Sequence, residues 1–435
     1  PDHTAADDGR LKIGKTMTAD RSVAVIGAGF VGTSCALHLA RKGWTVTLID
    51  KGGPANGASF GPAGIIQREA VAPYAFPRSV SKILSVLMRR GIDIRYHTTA
   101  LPGVARGLAS YWWNSAPKRH AKATQAYATL IEHSLTEHGR QIDWAGQVAD
   151  DLIRRDGWYD LYRTPAGLAG GLAHAKENHD GFGVPFERLS GDEVATLEPH
   201  LQERFTGAIH WPDTWSVRDP GELVAAYADA FVASGGTLVT GDVTDIAKLK
   251  DRWVLSSNGT EIAAADKVVV ATGAWTDKVV AKLGWKPPLF VKRGYHRHFK
   301  GEGNRPLNNW VADLETGFLI APMKRGIRLT TGAELGRLET PQTPVQITEA
   351  EKIARRMFPI GEPADPKPWM GGRPCTPDML PVIGPSPDRD GIWYAFGHGH
   401  QGLTMGPATG RLIAEMMGGE TPFVDPAPFR PSRFR

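Results

Sequence analysis

The sequence predicts an α/β protein with a largely parallel sheet, and three observations carry that prediction. Apolar strand-like runs alternate with helix-period segments along most of the 435 residues. The first such pair, the strand Ser22 to Ile26 and the helix after it, is joined by Gly27-Ala28-Gly29-Phe30-Val31-Gly32. A second apolar strand, Thr45 to Ile49, runs into Asp50, 18 residues beyond Gly32 (50 − 32). Each residue type has its own physical duty. Gly27 permits a tight turn, Gly29 lets the backbone approach a pyrophosphate, and Gly32 lets the helix lie close to the strand. Free N–H groups at the helix start favour an anion, and an acid roughly 20 residues on suits a ribose hydroxyl. A Rossmann-like dinucleotide-binding unit therefore opens the chain. That unit alone does not separate NAD from FAD.

Composition narrows the class. With 41% apolar and 22% charged residues the chain is of globular type, and its length suggests two or three domains. The 51 basic and 46 acidic residues give +5, but the basic ones are scattered, which argues against nucleic acid as a partner. Two cysteines, Cys35 and Cys375, are too few for a disulfide framework, and Cys35 reads as a small core residue of the first helix. No run approaches 18 apolar residues, so no transmembrane helix is expected. Without an apolar signal core, a cytoplasmic, reducing location is expected. Residues 1–20 read as a polar, flexible tail, with Met17 as a native start.

The remaining elements follow in order. Lys51 to Gly64 is a glycine-rich turn. Ser79 to Arg90 reads as a short, basic-ended helix, either packed or in peripheral contact with a membrane surface. Residues 103–155 carry the longest helical pattern, through Leu108, Tyr111, Leu130, Ile131 and Ile142. Gly157 to Tyr162 starts a strand, and Ser190 to Glu198 is a capped short helix. Pro220 to Ser234 is helical and stops at Gly235-Gly236. Strands at Thr237 to Val239 and Lys267 to Thr272 bracket a hairpin through Trp253-Val254-Leu255, so the first unit resumes after an insertion. Leu289 to Thr331 reads as strands, and Thr348, as N-cap, opens a helix to Met357. Gly391 to Met417 combines a strand, a glycine-rich turn and a helix from about Pro407, proline being favoured in a first turn. The division is then a nucleotide-binding domain of 21–100, 190–285 and 370–435. An inserted, mixed α+β substrate domain takes 101–189 and 286–369.

Four blocks carry a family resemblance. Asn56-Gly57-Ala58-Ser59-Phe60-Gly61-Pro62-Ala63-Gly64 is similar to the segment after the second strand in the D-amino acid oxidase and dehydrogenase superfamily of flavoproteins. Val268 through Ala271-Thr272-Gly273-Ala274-Trp275 resembles its later strand and turn. Trp369-Met370-Gly371-Gly372-Arg373-Pro374-Cys375-Thr376-Pro377-Asp378, with Pro381 to Gly384, resembles its substrate-arginine segment. Gly397-His398-Gly399-His400-Gln401-Gly402-Leu403-Thr404, continuing to Ala408, is similar to its closing flavin loop. Glycine oxidase and the bacterial D-amino acid dehydrogenases are the most similar branches. The dehydrogenase branch is favoured by the segment Gly57 to Ala75, although Pro62 stands where many of its members have Asn.

The resemblance implies FAD as cofactor. It places FAD against Gly27, Gly29, Phe30, Val31, Gly32, Asp50 and Lys51, and against Gly57, Ala58, Ser59, Gly64, Ile65 and Val243. Further contacts fall to Ala271, Thr272, Gly273, Trp275, Gly372, Arg373, Gly399, His400, Gln401, Gly402, Leu403 and Thr404. No cysteine stands at Gly371, where sarcosine oxidases attach flavin, so the FAD is expected to be non-covalent. The implied reaction is oxidation of a D-amino acid, a cyclic D-imino acid included, by hydride transfer from Cα to flavin N5. Alternatives are a sarcosine- or glycine-type amine oxidase and a non-amine flavin dehydrogenase. The expected electron acceptor is a quinone, a carrier protein or oxygen.

Arg373 is the expected carboxylate anchor, since a planar guanidinium holds a carboxylate with two parallel hydrogen bonds. Tyr295 would donate a second bond, or serve as a satisfied core tyrosine. His400 would touch substrate or flavin, and His398 and His400 read equally well as scaffold residues. Tyr74, Tyr111, Trp112 and Trp113 line a side-chain pocket or form plain core. His210, Asp213 and His296 to His298 match no zinc spacing, so no metal site is expected.

Overall fold

The computed structural model describes residues 21–79, 83, 84, 86, 88, 94–96 and 101–435. The reading of residues 1–20, and most of the expected helix Ser79 to Arg90, lie outside these. The run Val23-Ala24-Val25-Ile26 is apolar on both faces and buried on both, as a central parallel strand requires. It lies in a six-stranded sheet in the order Thr237–Thr240, Thr45–Asp50, Ser22–Ile26, Lys267–Val270, Ile392–Phe396 and Val382–Pro385. All neighbours are parallel except the last pair.

The glycine-rich turn acts as expected. Gly27 sits at φ +104°, donates its N–H to the Ile49 carbonyl at 2.7 Å, and would place a Cβ 2.5 Å from the Ala271 carbonyl oxygen. At Gly32 a Cβ would stand 1.8 Å from the Gly27 oxygen. The helix Phe30–Arg41 therefore rests directly on the turn that feeds it. On its far side Gly410 brings the C-terminal helix Gly402–Gly418 to within 2.5 Å, Cβ to Ser34 oxygen, were a side chain present.

That C-terminal helix begins at Gly402, not near Pro407, which sits inside it. A proline deprives the carbonyl four residues earlier, Leu403, of its donor. His138 Nε2 donates to that carbonyl at 2.8 Å, while its Nδ1 accepts from the Tyr227 hydroxyl at 2.9 Å. A histidine distant in sequence thus completes the helix ladder. Thr348 likewise falls within its helix, Val345–Met357, with its hydroxyl bonded to the Pro344 carbonyl. Ser190 caps Gly191–Leu197 through a reciprocal box with Glu193.

The long helical pattern of 103–155 divides into Leu101–Asn114, Pro117–Glu132, Ser134–Ala145 and Gln147–Asp150. Pro117 can start but not continue a helix, and Gly146 at φ +75° ends one. The Ser134–Ala145 helix packs on the nucleotide unit: Ser34 Oγ donates to Gln141 Oε1 at 3.0 Å, and Arg411 Nη1 meets Glu137 Oε1 at 2.8 Å. This segment was expected in the inserted domain. Its buried face instead belongs to the first helix and the C-terminal one.

The second large sheet is mixed and eleven-stranded among the described residues. Its central run is Phe290–Gly301, Gly326–Thr331, Phe318–Met323, Val311–Asp313, Tyr159–Tyr162 and Gly207–His210. Trp369–Cys375 pairs antiparallel along Phe290 to His296. Gly207–His210, and Trp369–Cys375 from Met370 on, therefore lie in this sheet and not in the expected nucleotide domain. Arg328 ties the sheets together. It is fully buried and donates Nη1 to the Pro62 carbonyl at 2.5 Å and Nε to His298 at 3.0 Å. His138→Phe, which leaves the Leu403 carbonyl without a donor, is expected to cost about 1–3 kcal/mol in urea unfolding. An unchanged midpoint would show that the carbonyl finds another partner.

Candidate active site

A cavity of about 1570 Å³ runs between the parallel sheet and the mixed sheet. Its floor is the glycine turn Gly27 to Val31 with Asp50, the loop Asn56 to Ser59, and Ala271 to Trp275. Its roof is the near face of the mixed sheet, and one wall is Gly397 to His400 with the helix start at Gly402 and Leu403. The size exceeds the roughly 300–1,000 Å³ of ordinary ligand pockets, enough for a dinucleotide and a second small molecule.

Most expected cofactor residues border this space, but several do not. Asp50 closes the turn from within: its Oδ2 accepts from the Ala28 N–H at 2.8 Å and its Oδ1 from the Gly52 N–H at 2.9 Å. Ser59 Oγ accepts the Phe30 N–H at 3.0 Å, covering one free donor of the first helix. Lys51 borders the open end and pairs with Asp242 at 2.7 Å. Gly57, Ala58, Ile65 and Val243 line the cavity, as do Ala271, Thr272, Gly273 and Trp275. Gly32, Gly64, Gly372, Gln401 and Thr404 do not. Gly32 faces the Gly27 carbonyl, Gly64 faces the Val217 carbonyl, and Gly372 faces Leu338 and Val291. Gln401 and Thr404 are buried on Gln67, through 2.7 and 3.2 Å hydrogen bonds.

At the substrate end, Arg373 reaches over Gly294, where a Cβ would stand 2.5 Å from its Nη2. The guanidinium donates only to the carbonyls of Gly332 at 3.2 Å and Thr331 at 3.5 Å. No carboxylate pairs with it among the described residues, and burial pulls its pKa down. Lys292, directly opposite Arg373 in the strand register, adds a second cation that sequence reading did not pick out. Its Nζ lies 4.2 Å from the Tyr111 ring centre and 3.0 Å from the Tyr111 hydroxyl. Strand alternation around Gly294 could have pointed to it.

Of its two expected roles, Tyr295 has the partners of a satisfied core tyrosine. Its hydroxyl donates to Glu334 Oε2 at 2.8 Å and accepts the Thr343 N–H at 3.0 Å, within a buried network around Arg293. It has no donor left for a substrate. His400 does line the cavity, its ring 4.7 Å from that of Tyr74, and burial with Arg373 and Lys292 nearby lowers its pKa to about 3. His398 is a scaffold residue bonded to Thr409 at 2.9 Å. Tyr74 and Tyr111 line the cavity, whereas Trp112 and Trp113 lie outside, under Arg78 and Arg119.

Asp365 joins His296 and His298 in a cluster whose ligand atoms lie within 4.8 Å of one another. Both nitrogens of His298 are engaged, Nδ1 with Asp365 at 2.7 Å and Nε2 with Arg328, whose guanidinium opposes a cation. Trp369 stacks on His296 at 4.8 Å and covers Gly61 and Gly371, where a Cβ would lie 1.9 and 2.1 Å from the indole.

Polar atoms with no partner mark where a ligand belongs. Thr330 Oγ1, Thr331 Oγ1 and Asp160 Oδ1 are buried and unpaired on residues that line the cavity. With the glycine floor, they fit a bound dinucleotide and substrate rather than a packed core.

Floor, roof and unpaired cation together define a dinucleotide-dependent oxidoreductase. The chain belongs to the DAO family, described as FAD dependent oxidoreductase, whose model matches residues 22–416. FAD is its cofactor. It is 32% identical over 431 residues to a D-amino-acid oxidase of Bradyrhizobium diazoefficiens, covering 96% of this chain and all of that protein. It is 28% identical over 431 residues to D-amino acid dehydrogenase 2 of Ralstonia nicotianae, covering 94% and 100%. The fold is similar to glycine oxidase from Geobacillus kaustophilus, with a TM-score of 0.71, 24% identity and 94% and 98% coverage. No described helix is long and apolar enough to cross a membrane.

Burial lowers the pKa of six histidines: His38, His398 and His400 to about 3, His138 and His298 to about 4, and His296 to about 2. The unfolded chain takes up protons on these below roughly 6.5, and the folded chain does not until far lower. Stability is expected to fall from pH 6.5 to 4 and to be complete above that window. Asp160, Glu69 and Glu198, raised by burial, act in the opposite sense but are fewer. Urea midpoints at pH 6.5 and 4.5 check this, and an equal or higher midpoint at 4.5 would contradict it. Asp50→Ala frees the Ala28 and Gly52 N–H groups and is expected to lower the FAD content of the purified protein. Full FAD content would show that this carboxylate is dispensable.

Proposed function

We propose that the protein oxidatively deaminates a D-amino acid, and that Arg373 anchors the substrate carboxylate. The carrying observation is a cavity-facing guanidinium whose protein partners are two carbonyls and no acid. Buried charges normally have a counter-charge, and a bound carboxylate would be that partner. The names of the relatives that span the whole chain support the same substrate class.

When bound, FAD supplies the two-electron acceptor for the substrate Cα–H bond. The substrate loses that hydrogen as hydride and an N–H proton, and water then converts the imine to a 2-oxo acid and ammonia. The chain's task is binding and orientation. Arg373 fixes the carboxylate, Gly294 leaves the guanidinium room, and Lys292 adds positive potential. That potential disfavours a protonated α-amine, so the amine is held in the neutral form that oxidation needs. His400, neutral through the working pH range, adds no charge beside it. Trp369 occupies the space a cysteine side chain at 371 would need, which supports FAD held without a bond to sulfur.

Glycine or sarcosine would use the same anchor, as would a cyclic D-imino acid. A quinone or carrier protein is the favoured acceptor, on the resemblance of Gly57 to Ala75. Anaerobic mixing with D- and L-amino acids and sarcosine is the test. Bleaching of the flavin band by D-amino acids is the expected result, and bleaching by sarcosine alone would overturn it. Turnover with a dye but not with oxygen is the expected sign of a dehydrogenase. Arg373→Ala is expected to keep FAD and raise the apparent KM more than a hundredfold, on the order of 3 kcal/mol for a charge-assisted bidentate contact. An unchanged KM would place the carboxylate elsewhere.

A further inference from the structure

The roof of the cavity carries a second, opposite charge feature. Across the mixed sheet, Thr330, Leu319, Ala312 and Asp160 pair in one continuous row, so their side chains share the cavity face. Arg373 hangs at the Thr331 end of that row, and Asp160 closes the other. Beside Asp160 stands Glu69, and both carboxylates are buried. Glu69 accepts from Thr214 at 2.6 Å and Gln67 at 2.8 Å, while Asp160 accepts only from Trp211 Nε1 at 2.9 Å.

Most other buried acids in the described residues are neutralised, and Glu198 is held by the N–H groups of Asn308 and Asn309. Glu137, Glu334, Asp313 and Glu415 each have an arginine, and Asp219 has a helix start. Glu69 and Asp160 have no such cation. Asp160 Oδ1, on a side chain more than nine-tenths buried in the same wall, has no partner at all. Trp158 and Trp211 flank the acids with indole rings, surfaces that favour a cation. Burial disfavours the charged form of both acids, and a cation in the cavity would pair with them and draw them into it.

Spacing says how that charge is delivered. Three strand steps from Thr330 to Asp160 are about 14 Å. A charge-assisted contact takes about 3 Å at each end, which leaves about 8 Å. An extended chain of six bonds of about 1.5 Å each spans that distance. Between the two ends the row is apolar, Leu319 and Ala312, with the Tyr74 ring also on the cavity.

Resting on the deamination reading above, we propose that the Glu69–Asp160 wall binds the cationic end of a basic D-amino acid, a lysine- or arginine-like side chain. The α-carboxylate and the distal cation then pair with opposite charges at the two ends of one slot. An α-amino acid without a distal cation leaves Asp160 unpaired.

The test compares D-lysine and D-arginine with D-norleucine, a neutral substrate of equal chain length, and with D-glutamate, using the FAD-loaded enzyme and a dye acceptor. The expected kcat/KM for D-lysine or D-arginine exceeds that for D-norleucine by about tenfold or more, and Asp160→Asn cuts that ratio by about tenfold. Glu69→Gln is expected to cut it as well, and flavin absorbance of each variant reports folding. Should Asp160→Asn fail to fold, the wild-type ratio and Glu69→Gln decide. A ratio near one in the wild type, or a ratio that neither variant changes, overturns the proposal while leaving deamination standing. Preference for D-glutamate also overturns it and assigns the side chain to Lys292. If no D-amino acid bleaches the flavin, the deamination reading falls and this one with it.

Discussion

Everything in this molecule depends on one main-chain contact: the turn at Gly27, pressed between the Ala271 carbonyl and the start of the first helix. With no side chain at Gly27 or Gly32, strand, turn and helix close to van der Waals distance. Asp50 then clamps the turn through the Ala28 N–H. This contact fixes the floor of the cavity, and with it the height at which any ligand meets the roof. The C-terminal helix leans on the same unit through Gly410, so the wall that carries His400 is positioned by the same close packing.

The roof is built on a different principle. Its near face is apolar along Leu319 and Ala312, and its ionisable groups are sorted to the two ends rather than paired. Arg373 and Lys292 stand at one end and Glu69 and Asp160 at the other, while away from the cavity arginines and acids neutralise each other. Arg293 with Glu334 is such a pair, and it absorbs Tyr295 as well. Burial disfavours the charged forms of Arg373, Glu69 and Asp160 alike. A ligand carrying an acid and a distal cation would bring a partner to each end.

Joining floor to roof requires other devices. Arg328 reaches from the mixed sheet to the carbonyls of Phe60 and Pro62. Trp369 fills the gap above Gly61 and Gly371. His138 repairs the ladder that Pro407 interrupts, which lets the C-terminal helix start at Gly402 with its free N–H groups facing the cavity wall. These contacts link residues tens to hundreds of positions apart.

The sequence by itself determined the nucleotide-binding unit, because each of its residues is set by local needs: φ > 0 at Gly27, close approach at Gly32, an acid at the end of the second strand. It also determined the family, through four ordered blocks, and brought Arg373 to notice. The tertiary structure alone decided which sheet each middle segment joins. Strand pairing of 159–162 with 311–313, and of 290–296 with 369–375, is non-local and leaves no periodic trace. It decided the helix start at Gly402, since the donor that makes Pro407 tolerable lies on another helix. It also decided the roles of Tyr295, Lys292 and Asp160. Neighbours on a strand point to opposite faces, and only the pairing register shows which face meets the cavity.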